Sequence, residues 1–135
     1  MTASIDANIL LRLIAGDVPE QQTVSAQLVG DKAHPVTVDS AALIEVAYAL
    51  EHHYAFTRAA CSSQIREVLD LPTVVGEFSA FRSALAMWAT HPKLSLPDCY
   101  LAEKAQADHA TPLWTFDHKL ANQHPAAQLA AARPA

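Results

Sequence analysis

The sequence predicts an α/β fold in which a parallel sheet is flanked by helices. Helical patterns alternate with short β-branched runs along the 135 residues, and such alternation is typical of a parallel sheet covered by helices. Hydrophobic residues make up 51% of the chain and charged residues 17%. This composition predicts a packed core and excludes wholesale disorder.

Prolines and glycines divide the first half of the chain into short elements. Apolar residues at helical spacing predict helices, and β-branched runs predict buried strands. In order, we expect a strand at Ala3 to Ile5, helices at Ala7 to Ala15 and from Pro19 to about Val29, and a strand at Pro35 to Val38. A helix capped by Asp39 or Ser40 follows and carries an apolar stripe from Leu43 to Tyr54. The next helix runs from Thr57 to about Leu69.

The second half continues the alternation. We expect one domain over residues 1–124 and an alanine-rich tail over residues 125–135, which forms either an edge strand or a disordered end. The predicted elements are a β-branched run at Thr73 to Val75, a helix from Glu77 to Thr90, a helix capped by Ser95 and ending near His109, a strand at Pro112 to Phe116, and a short helix to about Asn122.

Composition also excludes several classes of function. The three glycines, Gly16, Gly30 and Gly76, lie too far apart to form a phosphate-binding loop. Cys61 and Cys99 are expected to be reduced thiols, because two cysteines make neither a disulfide framework nor a zinc site here. A net charge of −5 argues against nonspecific electrostatic binding of nucleic acid. No apolar run is long enough to span a membrane, and we expect a cytoplasmic protein.

Four acids are predicted at one edge of the sheet, where functional groups collect in parallel α/β folds. Asp6 and Asp117 each close a predicted strand. Glu45 lies early in a helix that follows a strand, and Asp98 lies in the first turn of a helix. Each acid alone has a structural explanation, such as a helix cap. Glu45 is the hardest to explain in this way, because it lies in an apolar run where a charge needs a partner.

Carboxylates gathered at one place repel one another, and a divalent cation removes that repulsion. Mg²⁺ and Mn²⁺ prefer oxygen ligands. A site with oxygen ligands alone indicates phosphoryl chemistry, in which a bound metal activates water. The sequence offers no competing nucleophile–base pair.

Four stretches of the sequence carry a family likeness through their order and spacing. They are residues 4–12 around Asp6, 42–46 around Glu45, 96–102 around Asp98 and 113–120 around Asp117. Over roughly residues 4–124 the chain resembles the PIN domain family, and more closely the VapC-type ribonuclease toxins of type II toxin–antitoxin pairs. The resemblance implies a three-layer sandwich whose central parallel sheet has four or five strands.

The resemblance also implies the roles of individual residues. Asn8 and Thr115 would support the site. Ser95 stands where family members often carry an acid, and we expect it to cap a helix instead. RNA phosphate would be contacted by basic residues near the site, namely Arg12, Lys119 and Lys93. Metal binding and catalysis by a Mg²⁺-dependent ribonuclease, with Mn²⁺ as a substitute, would fall to four acids: Asp6, Glu45, Asp98 and Asp117.

The partners implied by the resemblance are an RNA substrate (transfer or ribosomal RNA), a second copy in a homodimer, and a cognate antitoxin. The antitoxin would block the acidic site with a basic side chain. Helical aromatic residues are expected mainly to fill the core, while some line a groove for an antitoxin helix. These aromatic residues are Tyr48, Tyr54, Phe78, Phe81 and Trp88.

Three other functions fit the sequence less well. A catalytically inactive PIN-like binding module would not need all four acids. A receiver-type phosphoacceptor needs paired acids after the first strand and a lysine after a late strand, which this chain lacks. A haloacid dehalogenase-type phosphatase needs Asp-x-Asp, and this chain has Asp6-Ala7-Asn8.

Overall fold

The computed structural model describes residues 2–132 of the chain. These residues form seven helices and four strands, and no helix among them is long and apolar enough to cross a membrane. The strands are β1 (Ala3–Ile5), β2 (Val36–Val38), β3 (Leu113–Thr115) and β4 (Ala127–Leu129). The helices are α1 (Ala7–Ala15), α2 (Pro19–Gly30), α3 (Ser40–His52), α4 (Arg58–Leu69), α5 (Ser79–Thr90), α6 (Leu96–Ala107) and α7 (His118–Gln123).

The chain divides into two compact units. Unit 1 extends to Phe78 and contains β1, β2 and the helices α1 to α4. Unit 2 begins at Ser79 and contains α5 to α7 with β3 and β4. Each unit therefore has its own helices and its own pair of strands.

Local sequence signals define most of the helix ends. Gly16 follows α1 in the left-handed conformation, with a φ of 64°, which favours glycine at a helix C-terminus. The side chains of Asp39, Thr57 and Ser95 each accept a hydrogen bond from an amide in the first turn of α3, α4 and α6. These caps confirm the predicted helix starts.

Three helix predictions need correction. The helix α5 begins at Ser79 and not at Glu77, and α6 ends at Ala107. The helix α6 stops short of His109 because that residue adopts a left-handed φ of 54°, which a helix does not continue through. Tyr54 lies beyond the end of α3 and is not part of its apolar stripe.

The core of unit 1 forms where α1 packs against α2 and α3, and where α3 packs against α4. The stripe predicted on α3 is fully buried, since Leu43, Val46 and Leu50 have no exposed surface. Burying one such side chain contributes about 1.5–3 kcal/mol. Cys61 on α4 is buried and free of disulfide bonding, as expected. Tyr48, in contrast, is 59% exposed and does not belong to the core.

The strands form two parallel two-stranded sheets, β1–β2 and β3–β4. In the first, Ile5 lies opposite Val38. The predicted strand at Thr73 to Val75 contributes a single parallel bridge, from Val74 to Val36. At this bridge the Val36 amide donates to the Thr73 carbonyl at 2.9 Å and the Val75 amide donates to the Val36 carbonyl at 2.8 Å. The expected central sheet of four or five strands is therefore not seen within residues 2–132.

The core of unit 2 forms where α5 packs against α6. The ring centroid of Phe81 lies 5.7 Å from that of Tyr100. Phe81, Leu85 and Trp88 are almost completely buried. The aromatic residues of α5 therefore fill a core, as the sequence predicts. Cys99 on α6 is a second buried thiol that forms no disulfide bond.

Part of the predicted C-terminal tail, residues 125–135, pairs with β3. The Leu113 amide donates to the Ala126 carbonyl at 2.7 Å, and the Ala130 amide donates to the Thr115 carbonyl at 2.8 Å. These bonds extend the pairing of β3 with β4. The last three residues of the tail lie outside the described residues.

Candidate functional site

Asp6 follows β1 directly and is the N-cap of α1. Its Oδ1 accepts a hydrogen bond from the Ile9 amide at 3.1 Å. The side chain is exposed, and its Oδ2 receives no hydrogen bond from the part of the chain that the structure describes. The carboxylate therefore caps α1 with one oxygen and keeps the other for solvent or a ligand.

A surface pocket of about 780 Å³ lies beside Asp6 in unit 1. Asp6, which lies between β1 and α1, and Asn8 of α1 supply polar groups to it, and α2 supplies Val24 and Leu28. Val24 is 54% exposed and Leu28 is 45% exposed. The pocket thus combines an acidic end of a strand with an apolar helix surface.

Glu45 lies in the second turn of α3 with its side chain exposed. The expectation that it is embedded among apolar residues and needs a partner is wrong. The buried residues of α3, which include Leu43, Val46 and Leu50, recur at helical spacing, and position 45 lies off that face. Glu45 does not line the pocket beside Asp6. No residue between 2 and 132 donates a hydrogen bond to its carboxylate.

Asp98 lies in the first turn of α6 and is half-buried. Its amide donates to Ser95 Oγ at 3.2 Å, so Ser95 has the capping role that the sequence predicts. An acid at this position interacts favourably with the helix dipole. The Asp98 carboxylate accepts no hydrogen bond from the described part of the chain, so its oxygens are available to a ligand.

Asp117 repeats in unit 2 the arrangement of Asp6. Its Oδ1 accepts hydrogen bonds from the amides of Lys119, at 2.9 Å, and Leu120, at 3.3 Å, and so caps α7. The Asp117 amide donates to Thr115 Oγ1 at 2.9 Å. Among the described residues nothing donates to Oδ2. Thr115 therefore fixes the backbone of Asp117, whose second oxygen is not hydrogen-bonded within residues 2–132.

The donor chemistry of these acids suits a hard divalent cation, because Mg²⁺ and Mn²⁺ prefer carboxylate oxygen. Within residues 2–132, no three side chains of His, Cys, Asp or Glu are grouped so that they could hold a metal ion. The metal-ligand assignment therefore stays a prediction for the four acids Asp6, Glu45, Asp98 and Asp117.

Arg12, a predicted contact for RNA phosphate, is held by neighbouring side chains. Its Nη1 lies 3.0 Å from both carboxylate oxygens of Asp17 and 3.2 Å from the Tyr54 hydroxyl, and its Nε donates to Gln21 at 2.9 Å. The hydrogen bond to Asp17 is the main cause that raises the pKa of Arg12. The Tyr54 hydroxyl, which donates to Asp17 at 2.8 Å, is the main cause that lowers the pKa of Asp17. Lys119, in contrast, is exposed and forms no ion pair within residues 2–132.

A thiol nucleophile is excluded at the buried cysteine of unit 1. Burial raises the pKa of Cys61 to about 11. The thiol is therefore protonated near neutral pH, and only the thiolate is strongly nucleophilic.

His124 is a buried polar residue that the sequence patterns did not reveal. Its side chain is 3% exposed, its Nε2 lies 3.2 Å from Glu103 Oε1, and its Nδ1 lies 3.0 Å from the Ala126 amide. Because Nδ1 accepts from that amide, the ring proton is assigned to Nε2 and is donated to Glu103. The pair joins the end of α7 to α6, the helices of Asp117 and Asp98. A separation of 21 residues leaves no local sequence signal for it.

A comparison with known protein families finds a match to the PIN domain over residues 3–123. No curated protein matches the sequence at a significant level. PIN domains are generally metal-dependent nucleases, and they bind nucleic acids. The matched region includes all four acids that the sequence predicts for the site.

Proposed function

Because the chain belongs to the PIN domain family, we propose that it is a divalent-metal-dependent endoribonuclease and the toxin of a toxin–antitoxin pair. The observation that carries the nuclease proposal is the shared arrangement of Asp6 and Asp117. Each follows a strand, uses Oδ1 to cap a helix and has an Oδ2 without a hydrogen bond from residues 2–132. Two exposed carboxylates held in this way can each give one oxygen to a cation.

We propose Mg²⁺ as the cofactor, with Mn²⁺ as a substitute. A bound divalent cation lowers the pKa of water and stabilises charge on a phosphodiester. The carboxylates of Asp98 and Glu45 also accept no hydrogen bond from the described residues, so both can serve as cation ligands. The proposed ligands and catalytic residues are Asp6, Glu45, Asp98 and Asp117.

The other residues of the proposed site would hold the acids in place, orient water or bind phosphate. Thr115 supports Asp117 through the hydrogen bond from its amide. Asn8 lines the same pocket as Asp6 and can orient a water molecule there. Lys119 is the stronger candidate for contacting phosphate, because the guanidinium of Arg12 is already paired with a carboxylate.

The proposed substrate is RNA, cleaved by hydrolysis to leave a 5′-phosphate and a 3′-hydroxyl. The net charge of −5 disfavours nonspecific electrostatic binding of RNA, so recognition of the RNA must rest on local contacts. From the family resemblance we propose loops of transfer or ribosomal RNA as the target and the cytoplasm as the location of the activity.

We also propose that the chain forms a homodimer and that its antitoxin covers the pocket beside Asp6. The exposed apolar side chains of Val24 and Leu28 suit an amphipathic helix. A basic antitoxin side chain would then pair with the Asp6 carboxylate and exclude substrate. Light scattering on the purified chain tests the dimer, because a dimer should have twice the 14.5 kDa mass of one chain.

Cleavage of total RNA by the purified chain tests the nuclease proposal. We expect discrete fragments in Mg²⁺ or Mn²⁺ and none in EDTA, with 5′-phosphate and 3′-hydroxyl ends. Asp98→Asn should abolish cleavage, because it removes a charged cation ligand and keeps the shape of the side chain. Asp108→Asn, at the C-terminal end of the same helix, is the matched control and should cleave like the wild type.

A folded, antitoxin-free protein that cuts no RNA in either metal would contradict the nuclease proposal. That result would favour the alternative, a catalytically inactive PIN-like module that binds RNA or protein. Equal loss of cleavage in the Asp108→Asn control would instead contradict the specific role of Asp98.

A further inference from the structure

Phe116 is the most exposed of the large hydrophobic residues within residues 2–132. Its side chain is 84% exposed, although it stands immediately before Asp117 and directly after β3. Trp114, two residues earlier, is 47% exposed. Single exposed apolar residues are common on protein surfaces. The position of this one, next to a proposed catalytic acid, calls for a functional explanation.

Hydrogen bonds hold the backbone on both sides of Phe116. The Thr115 carbonyl accepts from the Ala130 amide at 2.8 Å, and Thr115 Oγ1 accepts from the Asp117 amide at 2.9 Å. Beyond Phe116, Asp117 Oδ1 accepts from two amides of α7. The aromatic ring is thus presented to solvent from a fixed turn, so a ligand that stacks on it does not need to order the backbone first.

We propose that Phe116 is a platform on which an unpaired RNA base stacks beside the scissile phosphate. The inference rests on the proposed nuclease function and adds a residue that would bind the unpaired RNA loops proposed above as the substrate. Aromatic side chains bind bases through their π faces in a sequence-tolerant way. Bases inside a duplex are already stacked on their neighbours, so they are not available to the ring.

The exposed side chains that follow Phe116 suit a nucleic acid. His118 and Lys119 follow Asp117 directly, and both side chains are exposed. Lys119 forms no ion pair within the described part of the chain. The stretch from Phe116 to Lys119 therefore places an aromatic face, a proposed cation ligand and a basic side chain within four residues. A base, a cation and a phosphate are the groups that these three side chains bind.

Binding of short fluorescent RNAs to the full chain tests the proposal. The Asp6→Asn background, in Mg²⁺, keeps the substrate intact. A single-stranded ten-residue RNA is compared with a duplex of the same length by fluorescence anisotropy. We expect Phe116→Ala to weaken binding of the single strand by about 5- to 150-fold, the usual range for one base stacked on an aromatic side chain. Binding of the duplex should be weak in both proteins.

Two further substitutions of Phe116 distinguish base stacking on the ring from contact with any apolar side chain. Phe116→Trp should retain the affinity for the single strand, whereas Phe116→Leu should lose it like Phe116→Ala. Leu101→Ala removes another exposed hydrophobic side chain of unit 2, 52% exposed, and should bind like the parent. Light scattering on each variant reports whether the substitution changes the mass of the assembly.

The outcomes distinguish this inference from the proposed function. If the Asp6→Asn protein binds neither RNA and the wild type cleaves none, both fail. If the single strand binds and Phe116→Ala or Phe116→Leu binds equally well, the stacking proposal alone is overturned. A loss of binding that accompanies a loss of dimer mass in Phe116→Ala would make Phe116 a contact between copies of the chain, and it too would overturn the proposal.

Discussion

Units 1 and 2 hold an aspartate at the end of a strand in the same way, but they contain different polar pairs. In unit 1, Asp6 follows β1 and caps α1. In unit 2, β3 is followed by Asp117, which caps α7. Unit 1 contains a further aspartate of this kind, Asp39, which follows β2 and caps α3 through the Ala41 amide at 2.8 Å.

The neighbouring polar pairs differ in burial. The Arg12–Asp17 pair of unit 1 retains 27% and 39% of its side-chain exposure, whereas the His124–Glu103 pair of unit 2 retains 3% and 22%. Exposed ion pairs contribute little to stability because water competes for both partners. Breaking a buried hydrogen bond leaves a group that water cannot reach, and this costs more. The stability of unit 2 should therefore depend more on the His124–Glu103 pair than the stability of unit 1 depends on the Arg12–Asp17 pair.

The largest expected effect concerns Glu45, the proposed catalytic acid of unit 1 that caps no helix. Glu45→Gln should lower RNA cleavage by at least about 100-fold, since a metal centre contributes several kcal/mol to catalysis. Its thermal midpoint should not change, because the side chain is exposed. Glu67→Gln, an exposed acid on α4, is the matched control and should cleave normally. Normal cleavage by Glu45→Gln would remove Glu45 from the site.

The next largest effect compares how much each of the two hydrogen bonds of His124 contributes to stability. His124→Asn retains an acceptor for the Ala126 amide, and His124→Gln retains a donor to Glu103. The Gln variant should lose more stability, about 1–3 kcal/mol, because it leaves the buried Ala126 amide without a hydrogen-bond acceptor. The Asn variant should lose less, because the carboxylate of Glu103 that it leaves without a donor is partly hydrated. Urea denaturation measures both. The opposite order would show that the bond to Glu103 dominates.

A smaller effect distinguishes the basic residues of the two units. Lys119→Gln should weaken RNA binding several-fold and reduce the slope of log K against log salt by about one, as expected when one phosphate contact is lost. Arg12→Gln should change the slope less, because its guanidinium is paired with Asp17. Salt-dependent anisotropy titrations measure both slopes. A larger change for Arg12→Gln would reverse the assignment of the phosphate contact.

The smallest effect is the pH response of Asp17. Its pKa is lowered in the folded chain, so the stabilisation that it provides is present above the unfolded value of about 3.9 and is lost as pH falls through the folded pKa. Tyr54→Phe removes the main cause and should raise the pKa of Asp17 toward its ordinary value. An NMR titration of the Asp17 carboxyl carbon measures the change. An unchanged pKa would contradict the role of the Tyr54 hydroxyl.

Local sequence signals predicted the helices well, because a cap involves residues within one turn. Thr57 and Ser95 stand at the predicted helix starts, and Gly16 stands at a predicted end. The pairing of β3 with β4 and the pair of Tyr54 with Asp17 join residues far apart in sequence. Such contacts depend on how the chain packs, and single-sequence patterns do not contain that information.

Glu45 shows a different kind of error. Its apolar neighbours in the sequence suggested that Glu45 is buried, but the 3.6-residue period of the helix correctly predicts that it is exposed. The buried positions Leu43, Val46 and Leu50 define one face of α3, and position 45 lies off it. Of the candidate site, the strand-end placement of Asp6 and Asp117 was predictable, because a β-branched or apolar run followed by Asp is a local signal.

One matched set of substitutions tests the central claim, that particular strand-end aspartates serve catalysis as well as capping. Asp6→Asn, Asp117→Asn and Asp39→Asn remove the same charge from three N-caps, and Asn is as good a cap as Asp. Cleavage of RNA in Mg²⁺ is measured for each, with circular dichroism as the control for folding. We predict that Asp39→Asn cleaves like the wild type and that the other two are inactive while folded. Wild-type cleavage by folded Asp6→Asn and Asp117→Asn would contradict the claim.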